Sequence, residues 1–156
     1  MDFCSEINDM LMKTYRTVQE VEETKVKRNA HLNLTISELH LMEYIGRYGE
    51  GGATISALAG DLNYALPSVT VAVNKLEKKK YVVKQKSRAD KRMVYVMLTP
   101  KGAKVNNVHQ YIHKKMSREV AKEFNEQERE ILLRGLQKLN DIFARSLTGY
   151  LKKKDE

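Results

Sequence analysis

The chain has 156 residues, 31% of them charged, a formal net charge of +8 and one cysteine, Cys4. This length suits a single compact domain with its own core, and one cysteine excludes an internal disulfide framework. No apolar run approaches the roughly 18 residues that a membrane span needs, and the early acids are unlike a secretion signal, so a cytoplasmic protein with no membrane partner is expected.

Scarce glycine and proline favour helices. From Asp2 to about Lys27, Phe3, Ile7, Met10, Leu11, Val18 and Val21 recur at three- and four-residue steps, which predicts an amphipathic helix with a narrow apolar stripe. The polar stretch from Arg28 to Asn33 ends it. Thr35 followed by Glu38 forms a capping-box pattern that opens a second helix through Leu39, Met42 and Ile45, stopped at Gly49-Glu50-Gly51-Gly52. Ala53-Thr54-Ile55 offers at most a sheet-edge residue or two. Thr54 or Ser56 then caps a short helix through Ala57, Leu58 and Leu62.

After a turn at Asn63 and Tyr64, the next helix starts near Ala65 with Pro67 in its first turn. Val69, Ala72, Val73 and Leu76 fall on its inner face. Ser68, Thr70, Val71, Asn74, Lys75 and Lys78 fall on its outer face. Two short helices joined by a tight turn, the second with compact polar groups outside, suit a helix-turn-helix whose second helix enters a groove about 12 Å wide. Tyr81 to Gln85 and Met93 to Leu98 then alternate as two strands around the charged turn Lys86 to Arg92, a wing. Residues 75–92 hold nine basic side chains against two acids, Glu77 and Asp90, a net +7 beside the +8 of the whole chain. Charge gathered this tightly suggests a phosphate-facing surface. Thr99-Pro100 opens a helix to about Phe124 with Val105, Val108, Ile112, Met116 and Val120 on one stripe. Asn125 and Glu128 cap a final helix carrying Ile131, Leu132, Leu136, Leu139, Ile142, Phe143, Leu147 and Leu151.

The expected fold is therefore mainly α with a small β-wing (α+β), a winged helix-turn-helix over residues 35–100. Residues 1–34 and 101–156 form a helical dimerisation region intertwined with it. The terminal helices carry more apolar surface than one small head covers. A two-fold homodimer would bury it and match a pseudo-palindromic site on double-stranded DNA.

Asp90-Lys91-Arg92 followed by Leu98-Thr99-Pro100-Lys101-Gly102 resembles the wing signature of the multiple-antibiotic-resistance regulator (MarR) family, Asp-x-Arg and then Leu-Thr-x-x-Gly. Val69-Thr70 and Leu76-Glu77-Lys78-Lys79 resemble the recognition helix and its exit, and the likeness runs over essentially the whole chain. Lys80 stands where that family usually has glycine. The resemblance implies that Ser68, Thr70, Val71, Asn74 and Lys75 face the major groove, Asn74 reading a base edge and Val71 touching a thymine methyl. Arg92, with Arg88, would reach the minor groove, and Asp90 would orient the arginine through a charge-assisted hydrogen bond. Lys78, Lys84, Lys86 and Lys91 would contact phosphates. Ser37-Glu38-Leu39-His40, Ile45-Gly46 and the stretch from Val108 to Met116 further resemble the repressors of bacterial fatty-acid synthesis. That implies an acyl chain on acyl carrier protein as effector.

His109 and His113 are four apart on one helix, a common zinc-binding arrangement when a third ligand comes from elsewhere. His40 is the candidate, with Glu38 or His31 nearby in sequence, so zinc is a candidate cofactor and a zinc-responsive regulator of the same fold the second reading. The same histidines also suit hydrogen bonding at the junction of dimer region and lobe, or the lining of an effector pocket. Cys4 has no basic neighbour in sequence to favour a redox sensor. A winged-helix protein-interaction module is the alternative of another class, although its interface would favour aromatic anchors over Ser68, Thr70 and Asn74. No catalytic triad order, phosphate-cradling glycine loop or cysteine cluster is present, and no enzyme is expected.

Overall fold

The computed structural model describes residues 2–28, 32–87, 90 and 92–152, without the side chains of Lys27 and of residues 147–152. His31, Arg88 and Lys91 lie outside the described residues, as do the side chains of Leu147 and Leu151. In order along the chain come α1 (Phe3–Arg28), α2 (Ile36–Arg47), β1 (Ala53–Thr54), α3 (Ile55–Leu62), α4 (Leu66–Lys78), β2 (Val82–Lys86), β3 (Val94–Leu98), α5 (Pro100–Lys122) and α6 (Glu126–Lys152). A 3-10 turn, Gly49–Gly51, follows α2. The chain forms two compact units, Met1–Gln110 and Tyr111–Glu156, and their division falls inside α5.

In the first unit α2 and α3 start where polar side chains can satisfy free amides, whereas Ala65 before α4 supplies no side-chain cap. Thr35 Oγ1 accepts from the Glu38 N–H while Glu38 Oε2 accepts from the Thr35 N–H at 2.8 Å, the complete reciprocal box. Thr54, not Ser56, caps α3 by accepting from the Ala57 N–H. Asn63 ends that helix in the left-handed conformation, φ 52°, which asparagine tolerates better than most residues. The turn that follows delivers α4 at once, with Pro67 in its first turn.

The sheet has the order β1-β3-β2, all antiparallel. Two residues of β1 suffice to complete it, Ala53 facing Val96 and Thr54 facing Tyr95. On the other side, register runs from Val82 opposite Leu98 to Lys86 opposite Val94. Alternation puts Val82 and Val96 into the core, where they meet Met42, Ile45, Leu58, Val69, Val73 and Leu76. Full burial of each large apolar side chain contributes roughly 1.5–3 kcal/mol. Tyr81 joins this core and donates its hydroxyl to the Leu32 carbonyl at 2.6 Å, which ties the entry of α2 to the exit of α4.

α5 starts against the same point. Thr99 Oγ1 accepts from the Gly102 N–H and donates to the Lys80 carbonyl at 2.9 Å. A Cβ on Gly102 would stand 2.0 Å from the Tyr81 carbonyl oxygen, so only glycine lets the helix approach this closely. The Leu-Thr-x-x-Gly sequence is thus a packing requirement of the junction between wing and α5.

In the second unit Asn125 and Glu128 exchange side-chain and backbone hydrogen bonds of 2.8 and 3.0 Å. The Arg129 Nε also donates to the Ala121 carbonyl at 2.8 Å, closing the turn between α5 and α6. Ile131, Leu133, Leu136, Ile142 and Phe143 of α6 are exposed in the single chain, as are Phe3, Met10 and Tyr15 of α1.

Candidate nucleic-acid interface and histidine cluster

α4 presents the inner face anticipated from its periodicity, while of the six residues expected outside, Thr70 and Asn74 are half-buried. Val69, Val73 and Leu76 are buried, Ala72 is half-buried, and Ser68, Val71, Lys75 and Lys78 are exposed. Val71 is 53% exposed. Thr70 is half-buried and donates its hydroxyl to the Leu66 carbonyl at 2.8 Å.

The helix ends in a Schellman arrangement: the Lys80 N–H reaches the Glu77 carbonyl and the Tyr81 N–H reaches the Leu76 carbonyl. Lys80 supplies the left-handed residue, φ 63°. The turn therefore keeps the geometry that glycine would ordinarily serve, at a cost of about 1 kcal/mol.

Two lysines of the basic cluster have other duties. Lys84, expected at phosphates, pairs with Glu77 at 2.9 Å and donates a short hydrogen bond to the Asn74 Oδ1. It ties β2 to α4, and the carbonyl end of Asn74 is engaged by it. Lys79 donates from Nζ to both oxygens of Glu38 at 2.8 Å, joining the end of α4 to the start of α2. Burial would raise the Glu38 pKa, but the hydrogen bonds from Lys79 and the Thr35 N–H outweigh it and hold the carboxyl below the ordinary range. Neither pair is visible in sequence, since a compensating acid on another element leaves no local pattern. Exposed charge near α4 and the wing is carried by Lys75, Lys78, Lys80, Lys86 and Arg92.

At the wing tip Asp90 Oδ1 accepts from the backbone N–H of Arg92 at 2.9 Å, and the Asp90 N–H reaches Ser87 Oγ. The anticipated carboxylate bond is thus made to the arginine's main chain, where it shapes the turn, while the Asp90 and Arg92 side chains stay exposed.

Between α2 and the α3–α4 pair lies a cleft of about 640 Å³. Leu41, Tyr44, Leu62, Val71 and Ala72 give it an apolar lining, and Ser68, Lys75, Arg47 and Glu43 supply polar groups. Arg47 pairs with Glu43 at 3.0 Å and lies over the Tyr44 ring.

His40 on α2 and His109 on α5 meet with ring centroids 5.7 Å apart. His113, four residues after His109, follows one turn later on α5. Glu22 of α1 brings Oε1 to 3.5 Å from His40 Nε2, and Glu43 of α2 brings Oε2 to 3.9 Å from His109 Nε2. Sequence spacing singled out the histidines but not Glu22, which sits on another helix. Glu38, considered there as a ligand, is instead committed to Lys79 and Thr35. Cys4 is exposed in the first turn of α1.

Residues 23–109, more than half of the chain and including the whole wing, match the family model of the transcriptional regulators SarA/Rot. The chain belongs to the SarA/Rot family. Its fold is the winged helix expected from the sequence, as solved relatives bear out. FabT of Streptococcus pneumoniae, solved in complex with DNA, superposes with a TM-score of 0.85 at 28% identity, covering 90% of this chain and 97% of that one. The S. aureus MepR–DNA complex shares the fold, with a TM-score of 0.68 at 21% identity over 84% of this chain and 96% of that one. An uncharacterized HTH-type transcriptional regulator of Bacillus subtilis (strain 168), YhjH, is 25% identical over 96 residues, 62% of this chain. Those residues are 54% of YhjH, so the SarA/Rot-family chain spans about half the length of that curated relative. No described helix is long and apolar enough to cross a membrane.

Proposed function

We propose that this SarA/Rot-family protein is a transcriptional regulator that binds a pseudo-palindromic DNA site as a homodimer. The observation that carries the reading is the outer face of α4: Ser68, Val71, Lys75 and Lys78 exposed on a helix otherwise locked into the core. Compact groups near the helix start suit base edges, and lysines further along suit phosphates. Arg92, exposed at the wing tip, would enter an adjacent minor groove, where a narrow A·T-rich stretch concentrates negative potential. The likeness to FabT, solved on DNA, supports the same use of the fold.

The homodimer rests on the exposed apolar side chains of α1 and α6, which in water would each cost the burial energy they forgo. Two recognition helices would then lie about 34–36 Å apart, one turn of the duplex. The control of fatty-acid synthesis genes as a repressor, with long-chain acyl carrier protein as effector, is the finer part of the proposal. It rests on the fatty-acid repressor resemblance and on the cleft beside α4, whose volume and mixed lining suit an aliphatic chain with a polar end.

Titration of a promoter fragment by fluorescence anisotropy at several salt concentrations tests the reading. Each neutralised phosphate should steepen the logarithmic salt dependence by about 0.9. Arg92→Ala should weaken binding by about 1–3 kcal/mol with sedimentation unchanged. A flat salt dependence would reject DNA as the partner. Adding acylated carrier protein should shift affinity where the unacylated carrier does not; equal effects would remove the lipid part alone.

A further inference from the structure

We infer that, given the proposed DNA binding, Lys84 of β2 is a positioning residue for base recognition. It holds the Asn74 carbonyl oxygen, leaves that side chain a hydrogen-bond donor alone, and so makes α4 select guanine over adenine where Asn74 meets a base.

Strand alternation puts Lys84 on the same side of β2 as the buried Val82, toward the α4 helix that packs there. Its ammonium pairs with Glu77 Oε2 at 2.9 Å and donates to Asn74 Oδ1. Asn74 and Glu77 are three residues apart on α4, so both side chains lie on one flank of the helix. An ammonium has three donors and no acceptor, so only the oxygen of the Asn74 amide can face it. The orientation of the amide is thereby fixed by chemistry: its oxygen is turned to β2, and its NH2 group is what remains for a partner. The Lys84 side chain is 25% exposed, and Glu77 anchors it from the same helix.

An asparagine with both amide ends available pairs with adenine through two bonds. Its oxygen accepts from N6 and its nitrogen donates to N7. With the oxygen occupied, the first of these bonds is lost and the adenine amino group meets no acceptor. Guanine instead presents N7 and O6, two adjacent acceptors for the two N–H bonds of one nitrogen, where thymine presents only O4. The neighbours on the helix fit a donor surface. Lys75, exposed, adds only donors, and Val71, one turn earlier and 53% exposed, adds only apolar contact.

The test selects random duplexes with the full-length protein and compares wild type, Asn74→Ala and Lys84→Met. Asn74→Ala should relax the consensus at the base pair that Asn74 reads, and wild type should require G·C there. Replacing that guanine with 7-deazaguanine, which lacks the N7 acceptor, should weaken wild type and leave Asn74→Ala unaffected. Lys84→Met keeps the aliphatic stem but frees the amide oxygen, so its preference should move toward A·T by about tenfold. A uniform loss of affinity with a flatter salt dependence and the G·C preference intact would make Lys84 a phosphate contact and overturn its positioning role. Should Lys84→Met fail to fold, the base identity and the 7-deazaguanine comparison carry the decision. A consensus with A·T at the relaxed position would overturn the inference and leave DNA binding standing. Failure to enrich any duplex, with no affinity for DNA, would reject the proposed function and the base preference together.

Discussion

Glu38 shows how much one side chain can be asked to do. Its carboxylate closes the cap of α2 and holds Lys79 at the end of α4, so it fastens the two helices that flank the cleft. Its folded pKa lies below the ordinary value. The linked stability is then fully present above the unfolded carboxylate pKa and is lost as pH falls through the lower folded one. Glu38→Gln should cost about 1.5 kcal/mol near neutrality in urea unfolding. The gap to wild type should close in acid; a pH-independent gap would mean that charge plays no part. Lys80 is the opposite case, a residue working against its own preference. Lys80→Gly should raise stability by about 0.5–1 kcal/mol, because glycine takes φ near 60° without a Cβ penalty. A loss of stability would show that the lysine side chain, not the backbone, governs that turn.

At the scale of elements, local chemistry and long-range fit divide cleanly. The starts of α2, α3, α5 and α6 follow from Thr35, Thr54, Thr99 and Asn125 because capping bonds span three residues. The wing follows from alternation, and its register follows once Val82 and Val96 must both face inward. What alternation cannot reveal is how near α5 comes to the strand entry. Gly102→Ala would thrust a methyl into the Tyr81 carbonyl and should destabilise the protein by about 3 kcal/mol or more. A thermal melt within a degree or two of wild type would mean that α5 can shift outward freely.

For the whole molecule, the proposed dimer is the largest claim and the easiest to break. Leu136 and Ile142 are about half exposed on α6, and their burial in a partner would make folding and association inseparable. Leu136→Asp should therefore produce a smaller species in sedimentation and a melting temperature that no longer rises with protein concentration. An unchanged dimer would place the interface on other residues.

By itself the sequence determined the helix order, the caps, the inner and outer faces of α4 and the histidine spacing on α5. All of these depend on neighbours within a turn or two, where 3.6- and 2-residue periodicities leave a readable trace. Tertiary structure alone decided which lysines remain available to a partner. Lys79 and Lys84 look like their neighbours in the chain, yet Glu38 and Glu77 neutralise them across elements. It also decided that Glu22 meets His40 and that a cleft opens beside α4. Charge and coordination act through space over a few ångströms, and sequence separation carries no record of which distant groups folding brings within that range.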